Sequence, residues 1–254
     1  MPLILLTNDD GFQALGLQAL ARAVAPLGDL YIVAPDSARS GAAASITSTT
    51  PVSYCAKGDR VFACTGSPVD CVKLALEQIV PRTPDLILSG INHGDNASIS
   101  VHYSGTMGAV LEGCMKEIPS IGISLWLQHG QRYEQHPVGD TTLQAIAELC
   151  RNVLTQGLPQ DVCLNVNLPA SEQFRGWRIC RQARGRWSAE WVTATNPHGR
   201  HAFWLTGAFT DLEPEATDTD FAALRAGYAS IVPVTIDMTA HKAIHQLRSL
   251  ITSL

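Results

Sequence analysis

Two adjacent acids, Asp9 and Asp10, stand where an apolar run stops, within Thr7-Asn8-Asp9-Asp10-Gly11. Like charges at the end of a buried strand raise each other's cost, and a bound cation relieves it. Hard cations such as Mg²⁺ and Mn²⁺ take oxygen ligands, and one or two carboxylates usually suffice. Neighbouring side chains on a strand point to opposite faces, so both acids reach one ion only if the chain turns, which Gly11 permits. The same residues also read as a solvated acidic turn or a helix-capping pair.

Three further clusters carry chemistry of the same kind. In Ala34-Pro35-Asp36-Ser37-Ala38-Arg39-Ser40-Gly41, Ser40 offers a hydroxyl ligand and Gly41 a backbone N–H for an anion. Pro, Asp, Ser and Gly are equally ordinary turn residues. In Ser89-Gly90-Ile91-Asn92-His93-Gly94-Asp95-Asn96, the asparagines offer a carbonyl oxygen to a metal and an amide to a phosphate. His93 there reads equally as an exposed loop side chain, an acid or a ligand. Tyr103-Ser104-Gly105-Thr106 opens a helical pattern, where unpaired N–H groups make either an anion site or a plain Ser/Thr cap.

The elements that must position these clusters alternate in kind. Apolar runs predict strands from Pro2 to Leu6, Leu30 to Ala34, Asp85 to Ser89, Ile121 to Leu125 and Val162 to Leu168. Helical spacing predicts helices from Leu15 to Ala25, Val69 to Ile79 (capped by Ser67-Pro68), Thr106 to Lys116 and Leu143 to Leu154. Buried strands alternating with amphipathic helices indicate an α/β fold: a Rossmann-like, doubly wound, mostly parallel sheet covered on both faces. Such sheets bind ligands outside the carboxyl ends of their strands. Each cluster follows a predicted strand or opens a helix there, so the four gather on one edge. Beyond them, Trp177 to Arg181 and Tyr228 to Ile236 resemble strands, and Ala240 to Leu250 a terminal helix. The stretch from Gln182 to Gly207, rich in Arg, Trp, Gly and His, reads as a hairpin or extended excursion. We expect one domain over 1–254 with a less regular extension from about 170.

These separated motifs, in this order, resemble the survival protein E (SurE) family of nucleotidases. The match rests on NDDG at 8–11, APDxxRSG at 34–41, GSPVDCV at 66–72, SGINHGDN at 89–96 and YSGT at 103–106. Thr219-Asp220-Phe221, Gly227-Tyr228-Ala229-Ser230 and Pro233 add to it. The resemblance implies a Rossmann-like core, a C-terminal hairpin and helix extension that exchanges between subunits, and a homodimer or homotetramer. It also implies hydrolysis of nucleoside 5′- and 3′-monophosphates, with some activity on short polyphosphate. One divalent ion, Mg²⁺ or Mn²⁺, then falls on Asp9, Asp10, Ser40 and Asn92, and the phosphate on Asn96, Ser104, Gly105 and Thr106. Asp9 would take the proton from an attacking water, with Asp10, Asn96 and Ser104 completing the catalytic set.

Composition narrows the alternatives. A formal net charge of −5 disfavours a duplex nucleic-acid binder, which usually carries a basic face. There is no GxxxxGK[ST] loop and no G-x-S-x-G elbow. The opening apolar run lacks a basic flank and is shorter than the roughly 7–15 residues of a signal peptide, and no run approaches the ~20 of a membrane span. Seven cysteines without a CxxC pair fit reduced thiols, so the expected location is cytoplasmic. Two other classes use early aspartates around a metal. A receiver domain would need a phospho-acceptor Asp at the end of a later strand, whereas Gly-Ile-Asn follows DLILS here. A nucleoside N-ribohydrolase spaces its aspartates more widely.

Overall fold

Residues 1–127, 131–169, 174–195, 199 and 201–248 are described by the computed structural model. The first apolar run is buried along its whole length as β1 (Leu3–Thr7). In α1 (Leu15–Val24), buried Leu17, Leu20 and Val24 recur at helical spacing. β2 (Asp29–Pro35) follows, then the pair β3 (Tyr54–Gly58) and β4 (Val61–Cys64). Ser67 caps α2 (Pro68–Leu74) reciprocally with Asp70, with Pro68 in the first turn, and a wider π turn continues the helix over Ala75–Ile79. The centre continues with β5 (Leu86–His93), α3 (Gly105–Met115), β6 (Ser120–Trp126), α4 (Asp140–Gln156) and β7 (Val162–Pro169). The remainder is β8 (Trp177–Ile179), β9 (Gly185–Ser188), β10 (Trp191–Thr195), β11 (His201–Leu205), β12 (Ala208–Asp211), α5 (Asp220–Arg225), β13 (Ala229–Thr235) and α6 (His241–Leu247).

The main sheet runs β3-β4-β2-β1-β5-β6-β7-β13-β8. Its six central strands, β4-β2-β1-β5-β6-β7, are mutually parallel, and numbered along the chain they have the doubly wound order 3-2-1-4-5-6. Alternation along β1 splits the core in two. Ile4 and Leu6 pack with Leu17, Leu20 and Val24 of α1 and with Ile146, Cys150 and Val153 of α4. Leu5 packs on the other face with Val33, Ile87, Cys71 and Val72 of α2, and Ala109 of α3. Helices therefore cover both faces, and strand order reverses between β1 and β5, which opens a crevice at their carboxyl ends.

Several boundaries differ from the sequence reading. β5 does not stop at Ser89 but continues to His93, with its register on β6 shifting between Ser89 and Asn92. β3 was not legible because all its residues are exposed and it lacks an apolar face. The region after 170 is not all appended: β13 pairs antiparallel with β7 and carries β8 in parallel, so both complete the main sheet. The excursion after 182 forms two antiparallel hairpins, β9 with β12 and β10 with β11. The terminal helix spans His241–Leu247, and the last two residues expected in it, 249 and 250, lie outside the described residues. Among the described residues no helix is long and apolar enough to cross a membrane. All seven cysteines are free, six of them buried and Cys55 exposed.

Candidate active site

The chain turns sharply where β1 ends. Asn8 Nδ2 donates to Gly11 O at 2.9 Å, and Gly11 N–H donates back to Asn8 Oδ1 at 3.2 Å. Gly11 has φ +99°, a region that glycine enters without penalty. This turn sends the two acids to different neighbours. Asp9, 4% exposed, accepts the Thr106 hydroxyl on Oδ1 at 2.6 Å, which fastens it to the start of α3. Asp10 Oδ2 accepts the His93 N–H at 3.1 Å, at the end of β5. The adjacent carboxylates thus bridge the two walls of the crevice.

The other clusters close around them. Arg39 N–H donates to Asp9 O at 2.7 Å, and Ala43 N–H to Tyr103 O at 3.1 Å, so Ser40 and Gly41 are carried between Asp9 and the start of α3. Both are exposed, with Gly41 at φ +75°. Asn92 Nδ2 donates to Gly94 O at 2.8 Å, while its Oδ1 accepts nothing from the described residues. Gly105 touches Asp9: a Cβ there would lie 2.9 Å from Asp9 Cβ and 3.0 Å from Oδ2.

Burial, partly opposed by the Thr106 hydroxyl and reinforced by the Asp10 charge, pushes the Asp9 carboxyl up from 3.8 to about 6. Among the described residues no basic side chain offsets that burial. The donors that the resemblance assigns with it (two carboxylates, the Asn92 carbonyl and the Ser40 hydroxyl) are all oxygen. A buried carboxylate lacking a cationic partner within an all-oxygen set fits a hard divalent ion.

Of the groups expected to hold phosphate, Gly105 and Thr106 lie against Asp9, and the two hydroxyls are already engaged. Ser104 Oγ accepts the Met107 N–H at 3.0 Å as the cap of α3, and the Thr106 hydroxyl serves Asp9. With those hydroxyls engaged, what the helix start has left to offer is its first backbone N–H groups. Asn96 is buried and suspended on three residues: its N–H donates to Asn167 Oδ1 at 2.8 Å, its carbonyl accepts Asn165 Nδ2 at 2.8 Å, and its Nδ2 donates to Ser124 Oγ at 2.7 Å. His93 resolves into a packing role. Its Nε2 accepts the Gly16 N–H of α1 at 3.4 Å and its ring stacks on Tyr133 at 4.4 Å.

The supporting residues Ser124, Asn165 and Asn167 were missed from sequence, although two asparagines at alternate positions of an apolar strand, Val162-Cys163-Leu164-Asn165-Val166-Asn167-Leu168, signal one buried polar face. Cys180 and Arg186 have the Cys-x₅-Arg spacing of a thiol phosphatase. Here the spacing is incidental: burial raises the Cys180 thiol, its Sγ donates to Arg178 O at 3.3 Å, and Arg186 stands exposed on β9.

Comparison with known proteins agrees with this fold. The profile of the family described as Survival protein SurE matches residues 4–189. A 5′-nucleotidase SurE of Phocaeicola vulgatus is 48% identical over 252 residues, covering 98% of this chain and 96% of that protein. One of Bacteroides thetaiotaomicron is 48% identical over 250 residues, covering 97% and 95%. The crystal structure of the SurE protein from Aquifex aeolicus superposes with a TM-score of 0.80 at 32% identity, over 98% of this chain and 99% of that one. With its doubly wound order, its paired acids at the switch point and relatives matched over nearly their full length, the chain belongs to the Survival protein SurE family.

Proposed function

We propose that this chain is a divalent-metal-dependent phosphomonoesterase that hydrolyses nucleoside 5′- and 3′-monophosphates to nucleoside and phosphate, with short polyphosphate as a further substrate. The observation that carries the reading is the placement of the adjacent acids at the crevice, Asp9 against the start of α3 and Asp10 against the end of β5. The name 5′-nucleotidase borne by its relatives supports the substrate class. Asp9, Asp10, Ser40 and Asn92 would hold one Mg²⁺ or Mn²⁺. When bound, such an ion polarises a phosphoryl oxygen and lowers the pKa of a water. Asp9 accepts the proton of the attacking water, and Asp10, held by the His93 N–H, shares the charge of the site. Asn96, the Gly41 N–H, Ser104 and the helix start at Gly105 and Thr106 hold the phosphate and offset the charge that develops on it. Phosphate release from a panel of 5′- and 3′-nucleoside monophosphates and tripolyphosphate, with Mg²⁺ and with Mn²⁺, tests this. Release is expected from the monophosphates, and no release with either ion would overturn the reading.

The same proposal makes the chain a cytoplasmic homodimer or homotetramer that binds neither duplex nucleic acid nor membrane, assembled through the region from about 170. Unpaired buried cysteines support the location. The β10–β11 hairpin supports the assembly: Trp191 is 64% exposed, Phe203 58% and Trp204 72%, a density of apolar surface that monomers rarely present. Sedimentation at micromolar concentration is expected to give two or four chains, and Trp204→Glu to lower that number. A wild-type monomer would contradict it.

A further inference from the structure

Asp220, the first residue of α5, is fully buried, and its carboxylate accepts three backbone N–H groups. Oδ2 takes that of Ser98 at 2.8 Å, while Oδ1 takes those of Ala183 at 3.0 Å and Phe221 at 2.8 Å. Burial holds this carboxyl above the ordinary carboxylate range, and the converging N–H donors oppose that in part. Three stretches far apart in the chain therefore meet on one side chain.

What the clamp holds is specific. Ser98 lies two residues after Asn96 and opens the tight turn Ser98–Tyr103, which runs directly into Ser104 and α3. Ser98 has φ +50°, a left-handed conformation unfavourable for a residue with a Cβ, so it needs outside restraint. Asp220 supplies it at the N–H, and the Ser98 hydroxyl donates to Ala183 O at 2.9 Å. Gly185 closes over the same point, where a Cβ would lie 2.8 Å from Ser98 Oγ. Asn96 is hung from β6 and β7 on one side, and the Asp220 clamp fixes the chain two residues later.

We propose that Asp220 is a positioning residue for phosphate binding: by fixing Ser98 it sets the direction of Asn96 and of the start of α3, and ties both to the base of the β9–β12 hairpin. The inference rests on the phosphate-holding role given above to Asn96 and the helix start. It places part of the site's preorganisation in the C-terminal segment, which contributes no group to the phosphate itself.

Asp220→Asn tests it with one atom changed. Asn retains Oδ1 for Ala183 and Phe221 and turns an N–H₂ toward the Ser98 N–H, which releases that contact alone. The KM for a nucleoside monophosphate is expected to rise about tenfold, with kcat within about twofold and the half-saturating Mn²⁺ concentration unchanged. Asp218→Asn, which removes an exposed partner of Arg181 in the same segment, is expected to keep the wild-type KM. Should Asp220→Asn not fold, Asp220→Ser replaces it: one short acceptor cannot reach the Ser98 and Ala183 N–H groups together, and the same rise in KM is expected. Wild-type KM in Asp220→Asn or, failing that variant, in Asp220→Ser would overturn the clamp, as would an equal rise in Asp218→Asn. Failure of the wild-type chain to release phosphate would instead overturn the function proposed above, and the clamp's role with it.

Discussion

Asp9→Asn is expected to abolish phosphate release while raising the melting temperature of the metal-free protein at neutral pH. Asn keeps an acceptor for the Thr106 hydroxyl, so local geometry survives, but it loses the charge and the proton-accepting oxygen. A fall in kcat of at least about 10³-fold follows from removing both functions. The stability gain has a defined sign. Burial raises the folded carboxyl from 3.8 to about 6, so the unfolded chain sheds its proton first as pH rises. Between these values the wild type loses stability with increasing pH, and the full penalty applies above about 6. Its size is on the order of 3 kcal/mol, or several degrees of melting temperature. Thermal melts of both chelator-stripped proteins should therefore differ at pH 7.5 and converge near pH 4. Equal stability at pH 7.5 would mean that Asp9 carries no burial penalty, and near-normal turnover would remove it from the site.

Gly105→Ala is expected to lower kcat by about 10²-fold with little loss of fold. The added methyl would lie 2.9 Å from Asp9 Cβ and 3.0 Å from its Oδ2, so one of the two must yield. Asp9 Cβ sits next to the backbone and cannot swing clear by a rotamer change, and the strand end is held by the Asn8–Gly11 turn. The carboxylate shifts by some tenths of an ångström, which is costly for a group aligned with a reacting water. Ala is meanwhile the better helix former, which offsets part of the strain. Steady-state kinetics beside thermal melting separate the effects. Unchanged kcat would show that the carboxylate tolerates displacement.

How much of this was legible from sequence follows from where the information lies. The parallel sheet was readable because β1, β2, β5, β6 and β7 contain apolar runs, and α1 and α4 each carry one buried apolar stripe, whereas α3 is buried nearly all round. Three of the four clusters were readable because they follow those runs, and the fourth because it opens a helix. β5 ended too early in that reading because Gly90, Asn92 and Gly94 look like turn residues, whereas a shifted register carries the strand through to His93. The engagement of the Thr106 hydroxyl by Asp9 spans 97 residues, and that of Ser98 by Asp220 spans 122. Neither partner can be read from local pattern. The same holds for His93, whose Nε2 is committed to the start of α1, 77 residues away. Sequence showed which residue types follow the strands, while the geometry shows which of their atoms are already hydrogen-bonded.

The central claim is that phosphate release depends on a divalent ion held between Asp9 and Asp10. The most direct measurement is phosphate release from a 5′-nucleoside monophosphate by protein stripped with EDTA, dialysed, and titrated with Mn²⁺. The account predicts no release before titration and full recovery on filling one site per chain, with neither in Asp9→Asn. Release that persists in the stripped protein, or recovery that is the same in Asp9→Asn, would contradict it.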